Sequence, residues 1–141
     1  IQEGLISIDP ERKKEYERNT QIYINKLTEL HAAALKNIAD SGNQFMLVYH
    51  PSWAYFCSTY GLTQIAVELH GTEPTPKHLA MIINDARTHG ITKIFVSPYK
   101  NPKSARIIAQ EINGSIVHAD PLSENYIDTI RAVSEKLTVN P

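Results

Sequence analysis

The pattern of hydrophobic and polar positions divides the chain into one long helical segment followed by alternating strands and helices. After Asp9-Pro10, no glycine or proline occurs before Ser41-Gly42, and apolar side chains recur at spacings of three, four or seven residues. This stripe comprises Tyr16, Tyr23, Leu27, Leu30, Ala34 and Ile38. Asp9 as N-cap and Pro10 at the first helical position predict where the helix begins, and Ser41-Gly42 predicts where it ends. We expect residues 1–8 to form a short apolar lead-in beside it.

After Gly42 the pattern changes to short apolar runs separated by amphipathic segments. Strands are predicted at 45–49, 63–69, 92–97 and 115–119. Helices are predicted at 52–60, after Thr75-Pro76, after Asn101-Pro102 and after Ser123 as a cap. Strands that alternate with helices form a parallel sheet through right-handed crossovers. The predicted fold is therefore α/β, a four-stranded parallel sheet with helices on both faces, preceded by one long N-terminal helix.

Two side chains of metal-ligand type directly follow predicted strands. His50 follows the first strand and Asp120 follows the fourth. The carboxyl ends of parallel strands lie along one edge of a sheet, where open α/β folds bind ligands, so both side chains are expected there. Imidazole and carboxylate groups suit a divalent ion such as zinc or manganese. Three other segments are predicted at or near this edge: Leu69-His70, Ser97-Pro98 and His118.

Each of these residues also has a purely structural interpretation. A histidine at a strand end is more often a surface or hydrogen-bonded side chain than a ligand, and Asp120-Pro121 is an ordinary entry to a helix. Cys57 lies in an aromatic helix, which is typical of the core. His118 is expected to pack or hydrogen-bond inside the sheet. The remaining histidines are assigned to helix surfaces, helix ends or a loop: His31, His70, His78 and His89.

Composition narrows the function classes. The 141 residues suit one domain with a hydrophobic core, and a net charge of −1 with scattered basic residues predicts no nucleic-acid partner. One cysteine excludes an internal disulfide framework. No apolar run approaches the roughly 18 residues of a membrane span, and no signal peptide is visible. The chain starts at Ile1, so we interpret it as a piece of something longer.

Several segments, taken together and in order, resemble the metal-binding solute-binding proteins of ABC transporters, of the ZnuA/TroA type. The resemblance starts at Leu5 to Asp9-Pro10, continues in the first helix, and covers nearly the whole chain. In that helix it is carried by Tyr16, Asn19, Tyr23 and Leu27. After that helix it is carried by His50-Pro-Ser-Trp-Ala-Tyr-Phe56, Tyr60-Gly-Leu62, Glu73-Pro-Thr75, Ile94-Phe-Val96, the segment 103–111, and Asp120-Pro-Leu122.

The resemblance implies a non-enzymatic protein of two lobes joined by a rigid helix, with one ion bound in the cleft by two side chains from each lobe. Residues 1–42 would be the interlobe helix and 43–141 the C-terminal lobe, the N-terminal lobe being absent. His50 and Asp120 would be the metal ligands of this lobe. Zinc is the implied ion, with manganese as the alternative. The implied location is periplasmic or extracellular, with a lipid anchor on the missing N-terminal part as one form of attachment.

The implied partners are a membrane permease, the missing lobe, and a second copy of the chain through the exposed helix and cleft face. One departure concerns the third strand, where Ser97-Pro98 stands at a position that is acidic in many members. Two other interpretations stay open. One is a small flavodoxin-like enzyme or nucleotide-binding module, although the sequence contains no phosphate-binding glycine loop and no nucleophile elbow. The other is a metal-free adhesive domain of the cell surface.

Overall fold

The computed structural model describes residues 1–68, 71–100 and 102–138. Its helices are α1 (Gln2–Ile8), α2 (Lys13–Ser41), α3 (Ala54–Thr59), α4 (Pro76–Thr88), α5 (Lys103–Glu111) and α6 (Tyr126–Thr138). Its strands are β1 (Phe45–Val48), β2 (Thr63–Ala66), β3 (Lys93–Val96) and β4 (Ser115–His118). A 3₁₀ turn spans Pro10–Arg12.

The strands form one parallel sheet in the order β2-β1-β3-β4. Val48 of β1 is level with Phe95 of β3, which in turn is level with Val117 of β4. The four carboxyl ends therefore lie along one edge, as the alternation of strands and helices predicts. The predicted α/β fold is confirmed.

Helices cover both faces of the sheet because the central strand β1 is apolar on both sides. Met46 and Val48 pack in a core with side chains of α2, α3 and α6. Leu47 and Tyr49 pack in a second core with side chains of α4 and α5. A strand whose consecutive side chains are all buried is typical of a parallel sheet between two helical layers.

The N-terminal segment differs from its prediction in two ways. Residues 2–8 pack against α2, as expected of the lead-in, but they form a helix of their own, α1, which the sequence pattern did not predict. Asp9 makes no side-chain cap; its Oδ2 accepts from Arg12 Nε (2.6 Å) and from Tyr16 Oη (3.0 Å). The Arg12 and Tyr16 side chains therefore take the place of the backbone N–H groups that a cap would bind. A 3₁₀ turn precedes the regular helix.

Two further predictions about helix starts have different outcomes. The Thr75 cap is confirmed, because its Oγ1 accepts the backbone N–H of His78 (3.3 Å) at the start of α4. The Ser123 cap is wrong: its Oγ accepts the N–H of Asn125 (3.2 Å), and α6 begins only at Tyr126. A local serine turn therefore takes the place of the cap.

Helix α2 is covered by the rest of the described structure along its second half. Its buried side chains are Leu30, Ala34 and Ile38, and this half packs along α6. The first half keeps the apolar stripe, but Tyr23 and Ile24 are about half exposed beside α1. No helix in the described ranges combines the length and apolar character needed to cross a membrane.

The close approach of Gly114 to Thr92 generates the first prediction. A Cβ at Gly114 would lie 2.1 Å from the carbonyl oxygen of Thr92, and the adjacent Ser115 N–H donates to that same oxygen. Because the contact is with backbone, Gly114→Ala should lower the free energy of unfolding by about 1–3 kcal/mol, measured by urea denaturation. Gly4→Ala is the control, since a Cβ there meets nothing within 4 Å. Equal stability of the two variants would contradict the prediction.

The single cysteine generates the second prediction. Cys57 is buried next to Met46, and burial raises the pKa of its thiol to about 11. Only about 0.1% of the thiol is then ionised at pH 8, and the thiolate is the reactive form. A colourimetric thiol reagent at pH 8 should therefore react at least about 100-fold more slowly with the folded chain than with the urea-unfolded chain. Similar rates in both states would show that Cys57 is accessible.

Candidate metal centre

The segment that carries His50 is fixed at both ends. The N–H of Tyr49 donates to Phe95 O (2.8 Å), which continues the β1–β3 pairing past the last residue of β1. The N–H of Trp53 donates to the side-chain Oε1 of Gln64 (2.9 Å), which holds the entry to α3. His50 therefore lies at the carboxyl edge of a central strand, as predicted, on a backbone held by two strands.

Tyr49 adds a third anchor from the opposite face of the sheet. Ser104 Oγ donates to Glu73 Oε2 (2.7 Å), so the Tyr49 hydroxyl, 3.1 Å from the same Oγ, is the donor to Ser104. Burial raises the pKa of Tyr49, which keeps this hydroxyl protonated. The residue before His50 is thus held in place by α5 and the loop before α4.

Glu68 is the direct partner of His50. Its Oε2 is hydrogen-bonded to His50 Nδ1, and its Oε1 lies 3.5 Å from the ammonium of Lys100. The Glu68 side chain is 6% exposed, whereas that of His50 is 50% exposed. A carboxylate can only accept, so Nδ1 is the donor, and in the neutral imidazole Nε2 carries the lone pair. No hydrogen bond from the described residues reaches Nε2, so this nitrogen can bind a cation.

Asp120 lies after β4 at the same edge of the sheet, and each of its carboxylate oxygens accepts one hydrogen bond. Oδ1 accepts the N–H of Leu122 (2.9 Å), and Oδ2 accepts the hydroxyl of Tyr99 (2.9 Å). Asp120-Pro121 therefore forms a local turn, but it is not the entry to a helix that the alternative interpretation describes, because α6 begins only at Tyr126. Each carboxylate oxygen still has a second lone pair, so these bonds leave room for an ion.

The strand register gives the separation of the two candidate ligands. His50 lies two residues beyond Val48, and Asp120 three beyond Val117, the residue level with Val48 across β3. One strand lies between β1 and β4, so the two backbones are about 10 Å apart. In residues 1–68, 71–100 and 102–138, no three His, Cys, Asp or Glu side chains come together to bind an ion.

The other candidate positions have mixed outcomes. His118 is exposed, so the expectation that it packs inside the sheet is wrong. His31 lies on α2, where its Nδ1 contacts the Tyr60 hydroxyl (3.3 Å), and His89 follows the last residue of α4, where its Nδ1 contacts the Asp85 carbonyl (2.9 Å). Cys57 is in the core, as expected. The Leu69-His70 pair lies outside the described residues.

Glu68 is the member of the candidate site that the sequence reasoning missed. The predicted second strand runs to residue 69, but β2 ends at Ala66, although the N–H groups of Val67 and Glu68 still donate to Val48 and Tyr49. A carboxylate near the end of an otherwise apolar strand is the signal that could have identified it. Placing it beside His50 also requires knowing that β2 pairs with β1.

Comparisons with known proteins identify the family of the chain. The family described as "Zinc-uptake complex component A periplasmic" (ZnuA) matches residues 1–139. Zinc-binding protein AdcA of Streptococcus pyogenes is 25% identical over 141 residues, which are 99% of this chain and 27% of AdcA.

Two crystal structures of ZnuA have the same fold. One is 30% identical with a TM-score of 0.91, over 97% of this chain and 54% of that one. The other, a ZnuA deletion mutant with zinc bound, is 29% identical with a TM-score of 0.88, over 99% and 55%. The chain thus spans about half the length of these structures. With a match to the family over 139 of 141 residues, the chain belongs to the ZnuA family of periplasmic zinc-uptake components.

Proposed function

We propose that the chain forms one side of the zinc-binding cleft in the solute-binding component of an ABC importer. The single observation that best supports this is the bond between buried Glu68 and His50 Nδ1, which leaves Nε2 available at the half-exposed sheet edge. His50 Nε2 and a carboxylate oxygen of Asp120 are the proposed ligands. The ion is cargo, so the protein's task is capture and delivery without any chemical step.

Glu68 prepares His50 for this task in two ways. A carboxylate bonded to the far nitrogen of a metal-binding imidazole fixes the tautomer and the ring orientation, and makes the ligand more basic. Because Glu68 is nearly buried and paired with Lys100 as well, its own position is well defined. His50 is therefore oriented before the ion arrives.

Two ligands give an incomplete shell, since zinc usually takes four. We infer that residues 1–42 join two lobes, that 43–141 form the C-terminal lobe, and that the remaining ligands come from an N-terminal lobe. The half-exposed apolar surface on the first half of α2 supports this, because such a stripe is typical of a helix face that packs on another unit. Without that unit, the same face favours self-association.

The partner of the complete protein would be a membrane permease, and its location the periplasm or the extracellular face of a membrane, where a lipid anchor is one means of retention. Manganese is the alternative cargo. A nitrogen and oxygen donor pair suits both ions, and an imidazole ligand favours zinc.

The proposed ligands are tested by zinc titration of the 141-residue chain in competition with a chromophoric chelator. We expect weak one-to-one binding, and weaker still for manganese. His50→Ala should reduce zinc affinity by at least about 100-fold, since a ligand contributes more than the outer partners whose loss costs roughly 10–100-fold. His31→Ala removes an imidazole from the surface of α2 and should bind as the unaltered chain does. Binding that survives His50→Ala would refute the assignment.

The role of Glu68 is tested separately with Glu68→Gln. The amide keeps the shape but loses the charge that holds Nδ1–H, so zinc affinity should fall by about 10-fold or more. The NMR signal of the His50 ring should also show a shifted population of tautomers. Glu29→Gln, on the exposed surface of α2, is the matched control. Unchanged affinity and tautomer in Glu68→Gln would exclude the orienting role.

A further inference from the structure

The turn after β3 contacts Asp120 directly and is connected to His50 through Glu68. Ser97, Pro98, Tyr99 and Lys100 form a β-turn closed by the Lys100 N–H and the Ser97 carbonyl (3.0 Å), with proline at its second position. Because β3 lies between β1 and β4, the turn that follows it has the end of β4 on one side and the ends of β1 and β2 on the other. The Tyr99 hydroxyl bonds Asp120, and the Lys100 ammonium pairs with Glu68.

We propose that this turn tunes the cation affinity of the sheet edge through two adjacent side chains that act in opposite directions. Tyr99 is a positioning residue that strengthens binding, and Lys100 is an internal counter-cation that weakens it. The inference rests on the proposed function, in which His50 and Asp120 are ligands.

Tyr99 acts on Asp120. The Asp120 carboxylate is fixed at two points, by the Leu122 N–H on Oδ1 and by the Tyr99 hydroxyl on Oδ2. The Tyr99 residue is otherwise 78% exposed, so its ring contributes little to the core. Removing the hydroxyl would leave one point of attachment, and the carboxylate could rotate away from the orientation that binds an ion.

Lys100 acts on Glu68. Its Nζ lies 3.5 Å from Glu68 Oε1, while the other oxygen of Glu68 holds His50. A divalent ion on His50 Nε2 would be attracted by the Glu68 charge and repelled by the ammonium that offsets it. The Lys100 side chain is 54% exposed, and Glu68 keeps its hydrogen bond to His50 when the ammonium is removed, so folding does not depend on this ion pair alone. Its charge therefore matters more for the cation than for stability.

The test measures zinc affinity of the 141-residue chain and four variants by chelator competition at low salt. Tyr99→Phe should bind about 10-fold more weakly. Lys100→Met, which keeps the apolar stem, should bind about 3-fold more tightly, with the gain reduced at high salt. The controls are Lys100→Arg, which keeps the charge, and Tyr23→Phe, which removes a phenol hydroxyl on α2. Both should remain within about 2-fold of the unaltered chain.

Cobalt absorption and thermal unfolding distinguish this role from a structural one. With cobalt in place of zinc, Tyr99→Phe should change the visible spectrum, because a ligand oxygen is displaced, whereas Lys100→Met should not. The unfolding temperature of the metal-free variants should be unchanged.

Unaltered zinc affinity in Tyr99→Phe, or equal or weaker binding in Lys100→Met, would overturn the inference while the proposed function stands. Absence of binding by the unaltered chain, up to millimolar zinc, would overturn the proposed function and this inference with it.

Discussion

Burial of β1 on both faces is the constraint on which the rest of the structure depends. Four consecutive residues, Met46 to Tyr49, have almost no exposed surface, and their side chains alternate between the two cores. A strand of this kind cannot end inside the protein with polar groups, so its first ligand-type side chain appears only where the sheet meets solvent. Parallel pairing then places the ends of β2, β3 and β4 at the same edge. The candidate ligands His50 and Asp120 and the carboxylate of Glu68 lie at this edge for that reason.

Burial of Glu68 adds a second condition at that edge. A buried carboxylate is costly unless it is hydrogen-bonded and paired with charge. His50 meets that need with a hydrogen bond to one oxygen of Glu68, and the half-exposed ammonium of Lys100 lies 3.5 Å from the other. The hydrogen bond that makes the buried Glu68 tolerable also fixes the ring of His50. Stability and site geometry thus depend on one group, and the ring orientation does not rely on an ion being present.

Periodicity and strand order explain what could and could not be read from the sequence. The parallel sheet and the places of His50 and Asp120 could be predicted, because a strand ending in a polar residue is a local pattern. Helix α1 could not, since seven residues without a side-chain cap depend on packing against α2. The roles of Glu68, Tyr99 and Lys100 were missed for a related reason. Their partners follow from the order β2-β1-β3-β4, which is a tertiary property.

The apolar stripe of helix α2 is longer than the part of the helix that is buried in the described structure. Its apolar stripe runs from Tyr16 to Ile38, but the buried members begin at Leu30. At 1.5 Å per residue, 29 residues span about 44 Å, and roughly half of that length packs along α6. Intrinsic propensity alone does not select an apolar face, since polar residues form helices as well. The stripe on the first half supports our proposal that a second unit packs there. A rod held in this way would keep that unit at a fixed position relative to the carboxyl edge.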